Sequence, residues 1–129
     1  MKGNHILIID QDDVFISSVE EYFNQLGIEV ISSIDGVEGY RQIIETSPAM
    51  VMLDTIQNNL DGFQICKLIK IDQRFEKTPI VFVSSDDKKE EVMKAEQAGG
   101  DLFLRKPIIL DQLAEELINL IMVNNPAEA

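Results

Sequence analysis

Five short runs of apolar residues recur along the chain, each separated from the next by a longer amphipathic segment. The runs cover residues 6–9, 30–31, 50–53, 80–83 and 102–104. Most are continuously apolar rather than alternating, which is typical of parallel strands covered by helices on both faces. The first segment between them has Phe15, Val19 and Phe23 at helical spacing. The pattern therefore predicts five repeats of a strand followed by a helix.

Such repeats predict a doubly wound α/β domain, since right-handed crossovers leave few other topologies. We expect a five-stranded parallel sheet in the flavodoxin-like order 2-1-3-4-5, with helices on both faces. The length of 129 residues fits one domain. We assign residues 1–123 to it and expect residues 124–129 to form a flexible tail.

The charge balance narrows the classes of partner. A net charge of −12 argues against direct nucleic-acid binding, which needs a basic face, and against docking to an anionic membrane. No apolar run approaches the roughly 20 residues of a membrane span, and the N-terminus has no signal-peptide pattern. Cys66 is the only cysteine, so neither an internal disulfide nor a cysteine-based metal site can form. A cytoplasmic location is the default expectation.

Chemistry in an open parallel sheet gathers at the carboxyl ends of the strands. The first predicted strand is followed by Asp10, the third by Asp54, the fourth by Ser84 and the fifth by Lys106. Each residue alone has an ordinary structural interpretation, such as a helix N-cap or a turn residue. Their coincidence at one edge favours a site. Two close carboxylates repel unless they share a cation, and oxygen ligands without a Cys/His cluster favour Mg²⁺.

Three stretches carry a resemblance to a known family. Asp54 is followed at fixed distance by Asp-Gly in residues 54–63, residues 78–84 end in Ser84, and residues 98–107 contain an aromatic residue, a lysine and a proline. In this order and spacing they resemble the CheY-like receiver domain of two-component response regulators, over nearly the whole chain. The resemblance implies a phosphoprotein of phosphorelay signal transduction. It also implies that the protein is not an enzyme in the metabolic sense, because family members catalyse only slow phosphoryl transfer to themselves and its hydrolysis.

The resemblance implies a role for each matching residue. Asp54 is the phosphoacceptor that forms an aspartyl phosphate. Lys106 pairs with the phosphoryl oxygens and Ser84 donates a hydrogen bond to them, which suits phosphoryl transfer by positioning and charge stabilisation. Phe103 changes its rotamer as Ser84 moves. The bond between Lys106 and Pro107 is expected to be cis, because the family uses that turn to aim the lysine inward.

The implied metal site departs from the family pattern at one position. Mg²⁺ would be held by Asp10, Asp54 and the backbone carbonyl of Ile56. The family usually has a second acid directly after the first, and here that position is Gln11. A neutral amide attracts Mg²⁺ less than a carboxylate, so we expect weaker metal affinity, with Gln11 or Asp12 as a partial substitute.

Two positions bear on how long the phosphoryl group persists. Ile56 and Asp86 lie two residues after Asp54 and Ser84, where family members flank the path of the attacking water. The apolar side chain of Ile56 cannot orient a water molecule. We therefore expect a comparatively long-lived phosphoryl-aspartate.

The implied partners are a sensor histidine kinase or a phosphotransfer protein on the input side. On the output side the resemblance implies a downstream protein target or a fused output domain, and homodimerisation on activation is left open. Gln11 supports an alternative, a pseudo-receiver that binds partners without being phosphorylated. A second alternative, an aspartate-nucleophile phosphatase, lacks support because Ile56 occupies the place of its usual second acid.

Overall fold

The apolar runs form one parallel sheet. The structure, a computed structural model, describes residues 3–55, 60–86 and 88–124, the last four by backbone alone. Its strands are β1 (Ile6–Ile9), β2 (Val30–Ser33), β3 (Met50–Asp54), β4 (Ile80–Ser84) and β5 (Leu102–Arg105). They lie in the order β2-β1-β3-β4-β5, and every neighbouring pair is parallel. The predicted 2-1-3-4-5 order is confirmed.

Helices cover both faces of this sheet. They are α1 (Asp13–Gln25), α2 (Gly36–Thr46), α3 (Gly62–Ile71), α4 (Lys89–Gln97) and α5 (Leu110–Asn124). One core cluster joins α2, α3 and α4 to strand residues such as Leu7 and Ile9, and the other joins α1 and α5 to Ile6 and Ile8. Successive strand residues therefore point into opposite cores, which is why the strands are continuously apolar.

The loops at the carboxyl edge of the sheet are fixed by helix caps. The side chain of Asp12 accepts hydrogen bonds from the amides of Val14 and Phe15 at the start of α1. Asp61 caps α3 through a capping box with Gln64. A Cβ atom on Gly62 would collide with the carbonyl oxygen of Asp54, so only glycine lets α3 begin this close to the end of β3.

The last helix packs a stripe of leucines against the sheet. Leu113 and Leu117 are buried, and Leu110 and Leu120 pack partly against the same core cluster. The predicted boundary of the tail is wrong by one residue, because residue 124 is part of α5. The helix continues this far since no Gly or Pro interrupts it before Pro126. The rest of the expected tail, residues 125–129, lies outside the described residues. Within the described chain, no helix has the length and apolar character needed to cross a bilayer.

Candidate functional site

The carboxyl edge of the sheet brings together the four residues predicted to form the site. Asp54 and Ser84 are the last residues of β3 and β4, while Asp10 and Lys106 directly follow β1 and β5. Strands β1 and β3 pair with Ile9 opposite Leu53, so the next residue of each strand, Asp10 and Asp54, also lie side by side. The sheet order, rather than any local motif, thus makes these distant residues neighbours.

Lys106 bridges the two carboxylates. Its Nζ lies 2.8 Å from Asp10 Oδ2 and 3.3 Å from Asp54 Oδ2. Both contacts are ion pairs, and the contact with Asp54 is also a hydrogen bond. The Asp10 side chain is fully buried, while those of Lys106 and Asp54 are each 16% exposed. The charged groups are therefore held in a largely desolvated cluster.

Burial and pairing act in opposite directions on these groups. Burial raises the pKa of Asp10 above its ordinary value, and the contact with Lys106 and the Asp12 amide, which donates to Oδ1 at 2.9 Å, offset this only in part. Burial also lowers the pKa of Lys106, but the two carboxylates more than compensate and the net shift is upward. Lys106 therefore stays a cation near neutral pH, while burial opposes ionisation of the neighbouring Asp10 carboxyl.

The ring of Phe15 lies beside the lysine. Its helical spacing had predicted only that this residue packs against the core. The Nζ atom of Lys106 lies 4.7 Å from the centroid of the Phe15 ring, within the range of a cation–π contact. Phe15 lies in the first turn of α1 and lines an open cleft of about 810 Å³ at the carboxyl edge. The other residues lining this cleft are Asp10, Gln11, Asp12, Val14, Ser18, Asp54, Ser85, Lys106, Pro107, Ile108 and Leu110. The helical spacing of Phe15 predicts only a packing role, and it gave no signal of the contact with Lys106.

The hydroxyl of Ser84 lies below the surface of the site. Ser84 is 1% exposed, and its Oγ accepts hydrogen bonds from Thr55 Oγ1 at 3.1 Å and from the Asp86 amide at 3.0 Å. Thr55 was not identified from the sequence. The signal was present in the strand register, because Asp54 pairs with Val83 and the next residues along are Thr55 and Ser84.

The structure also describes two further candidates, Phe103 of the switch and Asp86 of the hydrolysis step. Phe103 is half-buried and pairs in register with Phe82 on the face of the sheet that packs against α4. A smaller cleft of about 300 Å³ lies between Phe103 and α4. The side chain of Asp86 accepts a hydrogen bond from the Lys88 amide at 3.0 Å. Ile56 lies outside the described residues.

The oxygen ligands fit a hard divalent cation, although the site is poorer in charge than three carboxylates would make it. Asp10 and Asp54 contribute carboxylates, and in the described part of the chain the buried Oδ2 of Asp10 has the Lys106 ammonium as its ion-pair partner. Gln11 is exposed at the cleft, while Oδ1 of Asp12 is engaged in capping α1. In the described part of the chain, no three His, Cys, Asp or Glu side chains gather as a metal site. Oxygen donors without nitrogen or sulfur suit Mg²⁺.

The Lys106–Pro107 peptide is cis, as predicted.

A parallel α/β fold with carboxylates and a lysine at the strand ends defines the class of receiver domains, and comparison with known proteins agrees. Residues 6–118 match the response regulator receiver domain family. Protein PilG of Pseudomonas aeruginosa is 31% identical over 125 residues, which cover 97% of this chain and 90% of PilG. The chain therefore belongs to the response regulator receiver domain family. It spans about half the length of several other curated relatives.

Solved structures share the fold. A CheY-like receiver domain protein from Methanospirillum hungatei superposes with a TM-score of 0.89 at 18% identity, covering 96% of this chain and 98% of that one. The receiver domain of a sensor histidine kinase from Pseudomonas aeruginosa has a TM-score of 0.84 at 23% identity, covering 92% of this chain and 98% of that one. That structure has a magnesium ion coordinated in its active site cleft. These structures share the fold, and the family match identifies the chain as a receiver domain, a signalling domain of two-component systems.

Proposed function

We propose that this receiver domain accepts a phosphoryl group on Asp54 from a histidine kinase or phosphotransfer protein, and that the modification switches its partner interactions. The observation that supports this most is the position of Lys106, whose Nζ bridges Asp10 and Asp54 at 2.8 and 3.3 Å. A fixed cation beside a nucleophilic carboxylate is the arrangement that phosphoryl transfer requires, since its transition state carries charge on the phosphoryl oxygens.

In the transfer step a carboxylate oxygen of Asp54 attacks phosphorus and forms an acyl phosphate. The bond from phosphorus to the donor imidazole breaks, and its electron pair remains on the imidazole nitrogen. Lys106 pairs with the phosphoryl oxygens through the ammonium that now contacts Asp54. Asp10, Asp54 and the Ile56 carbonyl, with help from Gln11 or Asp12, would hold Mg²⁺, which would supply further positive charge at these oxygens.

The switch uses the residues next to the acceptor. Ser84 donates a hydrogen bond to the new phosphoryl oxygens, and Phe103 changes its rotamer in the space that Ser84 leaves. The cleft between Phe103 and α4 gives the ring room for this movement. Phosphorylation at one edge of the sheet thereby changes the surface formed by α4, β5 and α5, which a partner reads.

The proposal extends to partners and to the lifetime of the modification. We assign α5 as far as residue 124 to the receiver domain and place the domain in the cytoplasm. We also assign it a downstream protein target or a fused output domain, with dimerisation on activation left open. Apolar Ile56 and the side chain of Asp86 set a slow rate of phosphoryl loss, because Ile56 offers no group that could orient a water molecule.

The direct test is the intact mass of the protein after incubation with acetyl phosphate, with and without Mg²⁺. We expect a Mg²⁺-dependent gain of one phosphoryl group in the wild type and no gain in Asp54→Asn. The amide of this variant keeps the shape of the side chain and removes the nucleophilic oxygen, so the variant is a matched control. Absence of the gain with acetyl phosphate and with a panel of histidine kinases would overturn the proposal.

One observation favours a second candidate, a pseudo-receiver that binds partners without phosphorylation. Gln11 places a neutral, exposed amide at the cleft where the family usually has an acid. In that case the wild type gains no mass with any donor but still binds its partner. Retention of Asp54, Ser84 and Lys106 at one edge makes the phosphoacceptor function the better supported of the two.

A further inference from the structure

Two buried hydroxyl groups lie next to the acceptor. Thr55 follows Asp54 directly and is 3% exposed, while Ser84 ends the neighbouring strand and is 1% exposed. Thr55 Oγ1 donates a hydrogen bond to Ser84 Oγ at 3.1 Å. Since buried polar groups need partners, this bond has a structural value of its own. Its position also links it to the residue that is proposed to move.

The hydrogen bonds of Ser84 define where its hydroxyl is held. Within the described residues, Ser84 Oγ bonds to Thr55 Oγ1 and to the Asp86 amide, and its backbone carbonyl accepts from the Lys106 amide at 2.8 Å. The side chain is therefore tied toward β3 and toward the loop after β4. A movement of the Ser84 hydroxyl away from β3 and this loop lengthens or breaks the two side-chain bonds.

We propose that Thr55 is a positioning residue that holds the Ser84 hydroxyl in the resting arrangement and so sets the threshold of the switch. This inference rests on the proposed function, because it takes Ser84 to be the group that moves. Thr55 stabilises the arrangement in which Ser84 Oγ accepts its proton. Loss of the Thr55 hydroxyl makes the active arrangement easier to reach while leaving Asp10, Asp54 and Lys106 in place.

The size of the effect follows from one buried hydrogen bond. The net contribution of such a bond corresponds to about a two- to tenfold change in an equilibrium constant. The apparent affinity of a ligand that needs a minor state rises in proportion to the population of that state. We therefore expect Thr55→Val, which keeps the side-chain shape, to bind an acyl phosphate analogue about two- to tenfold more tightly.

Beryllium fluoride is the probe, because it coordinates a carboxylate oxygen as an analogue of an acyl phosphate. Its binding is titrated by ¹⁹F NMR at constant, saturating Mg²⁺ in the wild type, Thr55→Val and Thr55→Ser. The serine variant keeps a hydroxyl at this position and should restore wild-type affinity. Thr55→Ala is a second hydroxyl-free variant for the case in which the valine variant does not fold.

Thr46→Val is the matched control at the opposite edge of the sheet. It removes a threonine hydroxyl that contacts His5 Nε2 at 2.9 Å and donates to the Gln42 carbonyl at 2.7 Å. The control should lower thermal stability without changing the affinity for beryllium fluoride. A purely structural role of Thr55 would give the same pattern in Thr55→Val, with stability lowered and affinity unchanged.

The outcomes separate the inference from the proposed function. Tighter binding by the hydroxyl-free variants with recovery in Thr55→Ser supports the inference. Unchanged or weaker binding by those variants, in a wild type that binds beryllium fluoride, overturns the inference alone. A wild type that neither binds beryllium fluoride nor gains a phosphoryl group from acetyl phosphate overturns the proposed function, and the inference with it.

Discussion

Replacing Lys106 by methionine tests the electrostatics of the site most directly. Methionine keeps much of the aliphatic stem and removes the ammonium that lies 2.8 Å from Asp10 and 3.3 Å from Asp54. At an effective dielectric constant of about 20, these contacts correspond to gross attractions of about 6 and about 5 kcal/mol. Desolvation of the ammonium cancels much of this, and removing one partner of a buried pair typically costs about 3–5 kcal/mol. We expect Lys106→Met to lower the free energy of unfolding by about 3 kcal/mol at neutral pH. This is the lower end of the range, because Lys106 and Asp54 are not fully buried.

The loss of stability in Lys106→Met should depend on pH. Burial already raises the pKa of Asp10, and the variant lacks the lysine contacts that lower it, so this pKa rises further. A carboxyl group whose pKa is higher in the folded protein than in the unfolded chain makes folding less favourable as pH rises through that interval. Lys106 itself stays protonated in both states below its ordinary pKa of about 10.4. The destabilisation should therefore be larger at about pH 7.5 than at about pH 5.

Urea unfolding at these two pH values measures the effect. Lys70→Met is the matched control, because Lys70 forms an ion pair with Asp101 at 2.9 Å and the Asp101 side chain is 27% exposed. The Ile80 amide also donates to Asp101 at 2.8 Å, so its carboxylate keeps a partner in the control variant. Equal destabilisation by Lys106→Met at both pH values would refute the electrostatic reasoning. The reasoning would also be refuted if Lys106→Met lowered stability as much in an Asp10→Asn background as in the wild type.

Three further substitutions test separate parts of the site. Asp10→Asn removes the buried charge while Lys106 keeps Asp54, so it should raise the free energy of unfolding near neutral pH by about 1 kcal/mol in urea titrations; a loss of stability would contradict this. Gln11→Asp should tighten Mg²⁺ binding several-fold in calorimetric titrations, because a second acid next to Asp10 adds attraction, and an unchanged titration contradicts the assigned role of Gln11. Ile56→Asn should shorten the lifetime of the phosphorylated protein, followed as the decay of the added mass, and an unaltered lifetime argues against the role of Ile56.

The sheet and its acidic edge could be predicted from the sequence because both follow from simple rules. Strands buried on two faces are continuously apolar, so residues 6–9, 50–53 and 80–83 were recognisable without any partner information. Parallel strands also place their carboxyl ends at one edge. Once the strand order was inferred, the proximity of Asp10 to Asp54 followed from the register.

Contacts that depend on side-chain direction were beyond the sequence. Phe15 fits the apolar stripe of α1, and nothing in its spacing indicates that its ring lies beside Lys106. Thr55 needed the β3–β4 register, which apolar runs do not fix to a single residue. Asp12 allowed both a capping and a metal-binding role, and the structure engages its Oδ1 with the amides of Val14 and Phe15. One carboxylate oxygen satisfied by two amides attracts a cation less strongly than a free one.

Gln11, which stands where the family usually has an acid, and the ammonium of Lys106 both reduce the net negative charge of the site. Asp10 and Asp54 face one ammonium, so these three groups together carry a single negative charge rather than the two that another acid would give. This reduces the repulsion that destabilises the resting fold. It also reduces the attraction for Mg²⁺, which would meet an ammonium already 2.8 Å from Asp10 Oδ2. A resting site that is easier to fold is therefore also expected to attract its cation less strongly. Under the proposed function, a phosphoryl group on Asp54 would bring its own negative charge and so strengthen that attraction.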